Sequence, residues 1–568
     1  MSHAATAGLP RSLIPALPRA TVILLTALAV LAPILLIFYQ SLLSAPFFDA
    51  SARAGIKAYS FIFDDPDFWR ALKNSCYIAA SMVVIAVPFG AILAFLMVRT
   101  DLPGQRWLEP LLLIPVFVSP MVLAFGFVVA AGPVGFYSVW AKALLSAAPW
   151  NMYSLTSIAV VAGLTHVPHV YLYASAALKN LGSDVEEAAR MSGAGPFRVA
   201  LDVSLPMIMP ALLYSAVLVF FLGYEIFGLA LVLGDPEGHL VLATYLFKLT
   251  NKLGTPSFHL MAAVAVCIIG ITFPLIMLQR FLLKNSAKYV SIKGKGSRQR
   301  LLPLGPWRWL AAMIIALWLF VTVFVPLSGI LLRAFVSFWG EGVNLYDALT
   351  LENFKTVYSQ STLMHGIWNT ILVGVVGGLV SVLCYAAIGF AMHRKNDGWT
   401  RFLDYLVLIP RAVPGLLAGL AIFWMFLFIP FLTPLRSTMI SVWLAYTVVW
   451  MAYGMRLIST SLLQVGAELE EASRSAGASR ARTSREITFP LIRHGLLASW
   501  VLVFLIFERE YSTAVYLLGP GTEVIGSLIV SLWATGGADM VAALSFINLL
   551  VVAAGLGIAL RFGVKLHD

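Results

Sequence analysis

Glu186-Glu187-Ala188-Ala189-Arg190-Met191-Ser192-Gly193, running on to Val203-Ser204-Leu205-Pro206, lies between two long apolar runs and occurs again as Glu470-Glu471-Ala472-Ser473-Arg474-Ser475-Ala476-Gly477, ending in Ile487-Thr488-Phe489-Pro490. Glu187 and Glu471, Gly193 and Gly477, and Pro206 and Pro490 are each 284 residues apart, half of the 568-residue chain. The chain is therefore a tandem repeat. Small Ala188, Ala189 and Ala472 permit close approach of another surface, and Gly193 and Gly477 permit a turn at positive φ that ends a short helix. Acidic residues at the start of that helix face the positive end of its dipole.

The rest of the sequence is membrane material. It is 60% hydrophobic and 11% charged, too apolar for a water-soluble domain. Apolar runs long enough to cross about 30 Å of hydrocarbon recur about twelve times, so the expected fold is an all-α polytopic membrane protein built as two parallel six-helix repeats. The net charge of +11 does not point to nucleic acid, because the basic residues are segregated by side. With the N-terminus in the cytosol, about 26 of the 38 Lys and Arg fall in cytosolic segments. That orientation makes both termini and both Glu-Ala-Ala loops cytosolic.

Residues 1–283 read as the first six-span domain, 284–307 as a basic cytosolic linker, and 308–568 as the second domain. The linker carries Lys288, Lys293, Lys295, Arg298 and Arg300 around a Gly-Ser core. Asn74-Ser75 and Asn369-Thr370 open the second span of each half, Arg99 and Arg394 close it, and Ile114-Pro115 and Ile409-Pro410 mark the third; these pairs are 295 residues apart. The fall to 284 by the Glu-Ala-Ala loop places 11 additional residues in the first half, around 131–153. Cys76, Cys267 and Cys384 stand alone in apolar runs, with no metal-ligand spacing.

A Glu-Ala-Ala loop with this spacing, set between spans, resembles the signature loop of the membrane subunits of binding-protein-dependent ABC importers, here with the family domain present twice. The resemblance implies that the loop forms a helix, a glycine turn and a second helix docked on a cytosolic ATPase. The coupling residues would be Glu186, Glu187, Ala188, Ala189, Gly193 and Pro206 in the first half, and Glu470, Glu471, Ala472, Gly477 and Pro490 in the second. It further implies two copies of a separate ABC ATPase subunit, a periplasmic substrate-binding protein, residence in the lipid bilayer of a bacterial inner membrane, and alternating access. No stretch reads G-x-x-x-x-G-K-[ST]: Gly294-Lys295 has Tyr289 where the first glycine belongs. The chain is therefore expected to be a transporter subunit without ATPase activity, cofactor or nucleic-acid partner. The stretch Glu510-Tyr511-Ser512-Thr513-Ala514-Val515-Tyr516-Leu517-Leu518-Gly519-Pro520-Gly521-Thr522-Glu523 resembles the ferric-iron-type permeases. The resemblance implies ferric iron as cargo; related fused permeases carry thiamine or 2-aminoethylphosphonate, and polyamine permeases are a more distant alternative. A secondary transporter would need its own ion relay, and a membrane enzyme a clustered catalytic set.

Charges inside spans are costly and cluster at pathways or partners. Glu225 falls in the fifth span, read over about 207–233, Arg411 in the ninth, and Glu508, Arg509 and Glu510 in the eleventh, read over about 492–518. On one continuous helix Glu508 and Glu510 point about 200° apart, so one of them is expected to pair with Arg509 or another segment. The group reads either as a self-neutralising packing device or as a gate on the translocation path. His166 and His169 have metal-compatible i, i+3 spacing but no third ligand, and read first as packing or polar-seam residues.

Overall fold

The computed structural model describes residues 19–181, 184–251, 257–284 and 301–561. The basic tail before Arg19, the charged core of the linker from Lys288 to Arg300 and the chain end after Arg561 lie outside the described residues. The fold is all-α: among the described residues the only non-helical pairings are three isolated bridges. Among the described residues ten helices are long and apolar enough to cross a bilayer, or eleven when the bent pair Gly398–Arg411 and Gly415–Phe428, inclined by 111°, is counted as one span.

The stretch that falls short of the expected twelve is 437–460. It is cut at Trp450 into Met439–Val449 and Met451–Leu463. Two further expectations of continuity are corrected. The fifth span ends at Tyr224 and resumes as Gly228–Gly234, while the eleventh ends at Arg509, with Glu510 extended and turns beyond it. In the third span of each half a proline stands where the helix resumes after a break: Gln105–Phe117 is followed by Pro120–Ala131, and Pro414 precedes Gly415–Phe428. Between Ala131 and Leu155, where the first half is longer, stands an additional helix, Phe136–Leu145.

The two halves are laced together rather than set side by side. The first helix, Arg19–Ser41, packs on Phe258–Lys284 of its own half and also on Gly398–Leu408 and Gly415–Phe428 of the other. Reciprocally, Val325–Ala334 packs on Ala538–Arg561 and on Pro120–Ala131. That crossing is tight because of glycine. A Cβ on Gly126 would come within 2.6 Å of the Pro326 carbonyl oxygen, and one on Gly329 within 2.9 Å of the Gly126 oxygen.

Candidate functional site: two pinned loops and a polar seam

Each Glu-Ala-Ala segment folds as a helix, a glycine turn and a second helix. The first is Asp184–Met191, then Pro196–Val199; the second is Ala467–Ser475, then Arg480–Thr483. Gly193 and Gly477 adopt φ of 86° and 88°. Around them Ala194 N–H donates to Ala189 O and Gly193 N–H to Arg190 O, and Ala478 and Gly477 repeat this onto Ser473 and Arg474. This double bond pattern closes a helix on a left-handed residue, which a Cβ would disfavour. A widened turn follows in both halves, Ala200–Ser204 and Ser484–Thr488. It ends two residues before Pro206 and Pro490, whose rings crowd the carbonyl four residues back and whose nitrogens donate nothing.

The two glutamates of each loop face different ways. Glu186 is 3% exposed, and its carboxylate lies 3.2 Å from Arg99 Nε while accepting from Ser204 Oγ at 2.7 Å. Arg99 is itself buried and donates to the carbonyls of Leu178 and Leu181. In the second half Glu470 accepts from Arg394 Nε at 3.1 Å, His393 Nε2 at 2.8 Å and Thr488 Oγ1 at 2.7 Å, and Arg394 donates to Val465 O. Burial pushes the Glu470 carboxyl up, but the Thr488, His393 and Arg394 donors outweigh it and hold it below the usual glutamate range. Glu471 and Ala472 are exposed, as is Ala188, and Glu187 and Ala189 are half-buried. Glu186 and Glu470, read from the sequence with the outward coupling set, therefore turn inward as anchors. Sequence reasoning missed the roles of Arg99, Arg394, Ser204 and Thr488. Their signal was present: both arginines close the second span, and Ser204 and Thr488 each stand two residues before the repeated proline.

The intramembrane charges converge on the seam between the halves, and the structure resolves their pairing differently from the helical reading. Glu510 is not on a helix: its φ and ψ are −74° and 129°, so the 200° argument does not apply. Its carboxylate accepts from Trp450 Nε1 at 3.0 Å, Ser512 Oγ at 2.8 Å and Thr513 N at 3.0 Å. Glu508 accepts from Asn548 Nδ2. Neither acid forms an ion pair with Arg509 within 4.0 Å; the guanidinium instead donates to Val116 O in the opposite half and lies over the Trp450 ring. Arg411 lies over the Phe221 ring, also across the seam.

Glu225 lies at the helix break with one buried carboxylate oxygen that has no hydrogen-bond partner among the described residues. It lines a small cavity with Tyr224, Leu246, Pro414, Leu416 and Leu417. The cavity is thus walled by both halves. Close by, Tyr511 OH accepts from Gly228 N–H at 2.7 Å, and Tyr516 OH meets Thr250 Oγ1 at 3.1 Å. His166 and His169 stack at 5.2 Å, and His166 Nδ1 bonds the Ala162 carbonyl of its own helix at 2.7 Å. Among the described residues no group of three metal-ligating side chains lies together.

The two matched loops and the polar seam belong to an all-α bundle whose helices are long and apolar enough to cross a membrane. The model for the binding-protein-dependent transport system inner membrane component matches residues 86–287 and again 384–565, and the chain belongs to that family, as a fused two-domain ABC importer permease of the inner membrane. It is similar to the ferric transport system permease protein FbpB of Actinobacillus pleuropneumoniae, 24% identical over 81% of this chain and 66% of that protein. A putative ferric transport system permease protein, FbpB 1, of Haemophilus influenzae is 24% identical over 89% of this chain and 78% of its own length. The molybdenum transport system permease protein ModB of Escherichia coli is 27% identical over 38% of this chain and 93% of its own.

Proposed function

We propose that the chain carries ferric iron across the bacterial inner membrane, received from a periplasmic binding protein and driven by two copies of a cytosolic ABC ATPase, one on each Glu-Ala-Ala loop. The observation that supports the docking role most directly is the division of labour within each loop: one glutamate is pinned inward by an arginine, buried Arg99 in the first half and exposed Arg394 in the second, while its neighbour and the alanines stay available to a partner. Residues 1–283 and 308–568 act as the two moving halves, 284–307 as their tether, and both termini are cytosolic. ATP binding draws the ATPases together, displaces both loops and rocks the halves; hydrolysis resets them. The path follows the seam past Glu225, Arg411 and the Glu508–Glu510 cluster. Two of the relatives matched over most of the chain are ferric permeases, and buried acids suit a cation, which together favour iron.

The test is ATPase activity of the permease reconstituted in lipid with its cognate ATPase and binding protein, challenged in turn with ferric iron, thiamine, 2-aminoethylphosphonate, a polyamine and molybdate. Stimulation by ferric iron alone supports the proposal. Stimulation by another ligand reassigns the cargo, and failure of any ATPase to associate returns the chain to an ion-coupled reading.

A further inference from the structure

The segment leading into the first span of each half is fastened to the other half, beside the arginine that pins a loop. Just before Trp307, the backbone of 301–304 lies along Arg99–Asp101. Leu302 N–H donates to Arg99 O at 2.7 Å, Asp101 N–H to Leu302 O at 3.3 Å, and Leu304 N–H to Asp101 Oδ1 at 2.7 Å. Thr100 and Leu302 pair in parallel there and are 0% and 2% exposed. At the start of the first span the fastening is ionic. Arg19 makes a two-pronged bond to Asp397 at 2.5 and 2.6 Å and a third to Thr400 Oγ1 at 2.8 Å. Asp397 lies three residues past Arg394 and caps the helix Gly398–Leu408 through Thr400 N–H.

We propose that Arg99 and Arg394 are positioning residues for the two loops, and that each is held in register by the opposite half, through the 301–304 strap at Arg99 and through Arg19 at Arg394. The proposal rests on the loops being ATPase-docking sites. A displaced loop then pulls, through its arginine and strap, on the first span of the other half, which itself packs across the seam. The two fastenings differ in kind. The first is two backbone hydrogen bonds at a buried pair, with Leu304 N–H held by the Asp101 carboxylate, and salt weakens it little. The second is an ion pair whose side chains are 24% and 44% exposed, which salt screens.

The experiment is amide hydrogen exchange of the full chain in lipid nanodiscs, read over 184–195 and 467–479, beside titration with the cognate ATPase. Asp101→Ala is expected to raise exchange about fivefold in 184–195 and leave 467–479 unchanged; Arg19→Gln does the converse, and Arg19→Lys restores it. Salt at about 1 M reproduces the Arg19→Gln pattern in the unaltered protein and spares the first loop. The ATPase concentration for half-maximal association rises in both variants and returns to normal in Arg19→Lys. Unchanged exchange in the adjoining loop, or an equal rise in both loops, overturns the proposal. Loop exchange that moves as expected in a chain no ATPase binds upholds the positioning and sinks the docking function. Normal ATPase binding with unmoved exchange does the reverse.

Discussion

Arg99 Nε lies 3.2 Å from Glu186 Oε1 with side chains 1% and 4% exposed, and Arg394 Nε lies 3.1 Å from Glu470 Oε2 in the matching place of the other half. Two charges withdrawn from water at a helix–loop corner are stable only together. Arg99→Ala is therefore expected to cost about 3–5 kcal/mol, because it leaves a buried carboxylate unpaired, whereas Arg99→Met with Glu186→Leu comes close to neutral. Thermal unfolding in detergent of Arg99→Ala, of Glu186→Leu alone and of the double variant reads the difference; equal losses in all three refute the coupling.

The outward glutamates carry a different expectation. Glu187→Lys with Glu471→Lys leaves folding and insertion intact, because neither side chain is part of the buried anchor, while uptake falls by at least about tenfold, the effect of some 1.4 kcal/mol at the docking surface. Uptake by proteoliposomes beside a membrane-insertion assay separates the two. Normal uptake removes the docking role.

The Glu470 anchor has a defined pH window. Its folded carboxyl titrates below the ordinary value, so its contribution is fully present above about pH 4.5 and is lost as the pH falls through the depressed value. Exchange protection of 467–479 should hold flat from pH 8 to about pH 5 and collapse below the usual glutamate range. In Glu470→Gln that acid step disappears. An acid step that persists in Glu470→Gln would remove that carboxylate from the anchor.

The two seam acids carry different expectations. Glu510 is saturated by Trp450, Ser512 and Thr513, so Glu510→Ala strands those donors and costs about 2 kcal/mol or more of stability. Glu225 faces the cavity with a free oxygen, so Glu225→Gln leaves stability unchanged within about 0.5 kcal/mol and lowers uptake. Loss of stability in Glu225→Gln with unaltered uptake would reverse the assignment.

Close contacts, one within the second half and one between the halves, set a further limit on substitution. A Cβ on Gly419 would stand 2.0 Å from the Thr513 carbonyl oxygen, and one on Gly228 2.1 Å from Tyr511 OH. Gly419→Ala must move backbone and is expected to cost about 1–3 kcal/mol, measured as a fall in Tm. Gly270→Ala, with open space at its Cβ, is the neutral control.

By itself the sequence determined the class of fold, the repeat, the two loops and the turns at Gly193 and Gly477, because apolar run length, a repeated spacing and the left-handed freedom of glycine are local quantities. It pointed to Arg99 and Arg394 only as span ends. Tertiary structure alone decided that Glu186 and Glu470 turn inward, that the eleventh span stops at Arg509 so that Glu510 is caged by Trp450, and that Arg509 reaches Val116 rather than a neighbouring acid. It alone showed that the first span of each half crosses to the other, and that 301–304 and Arg19 tie onto it. The physical reason is common to all of these. A buried charge or an unsatisfied backbone group takes whichever partner packing brings within about 3 Å, and that partner lies tens to hundreds of residues away.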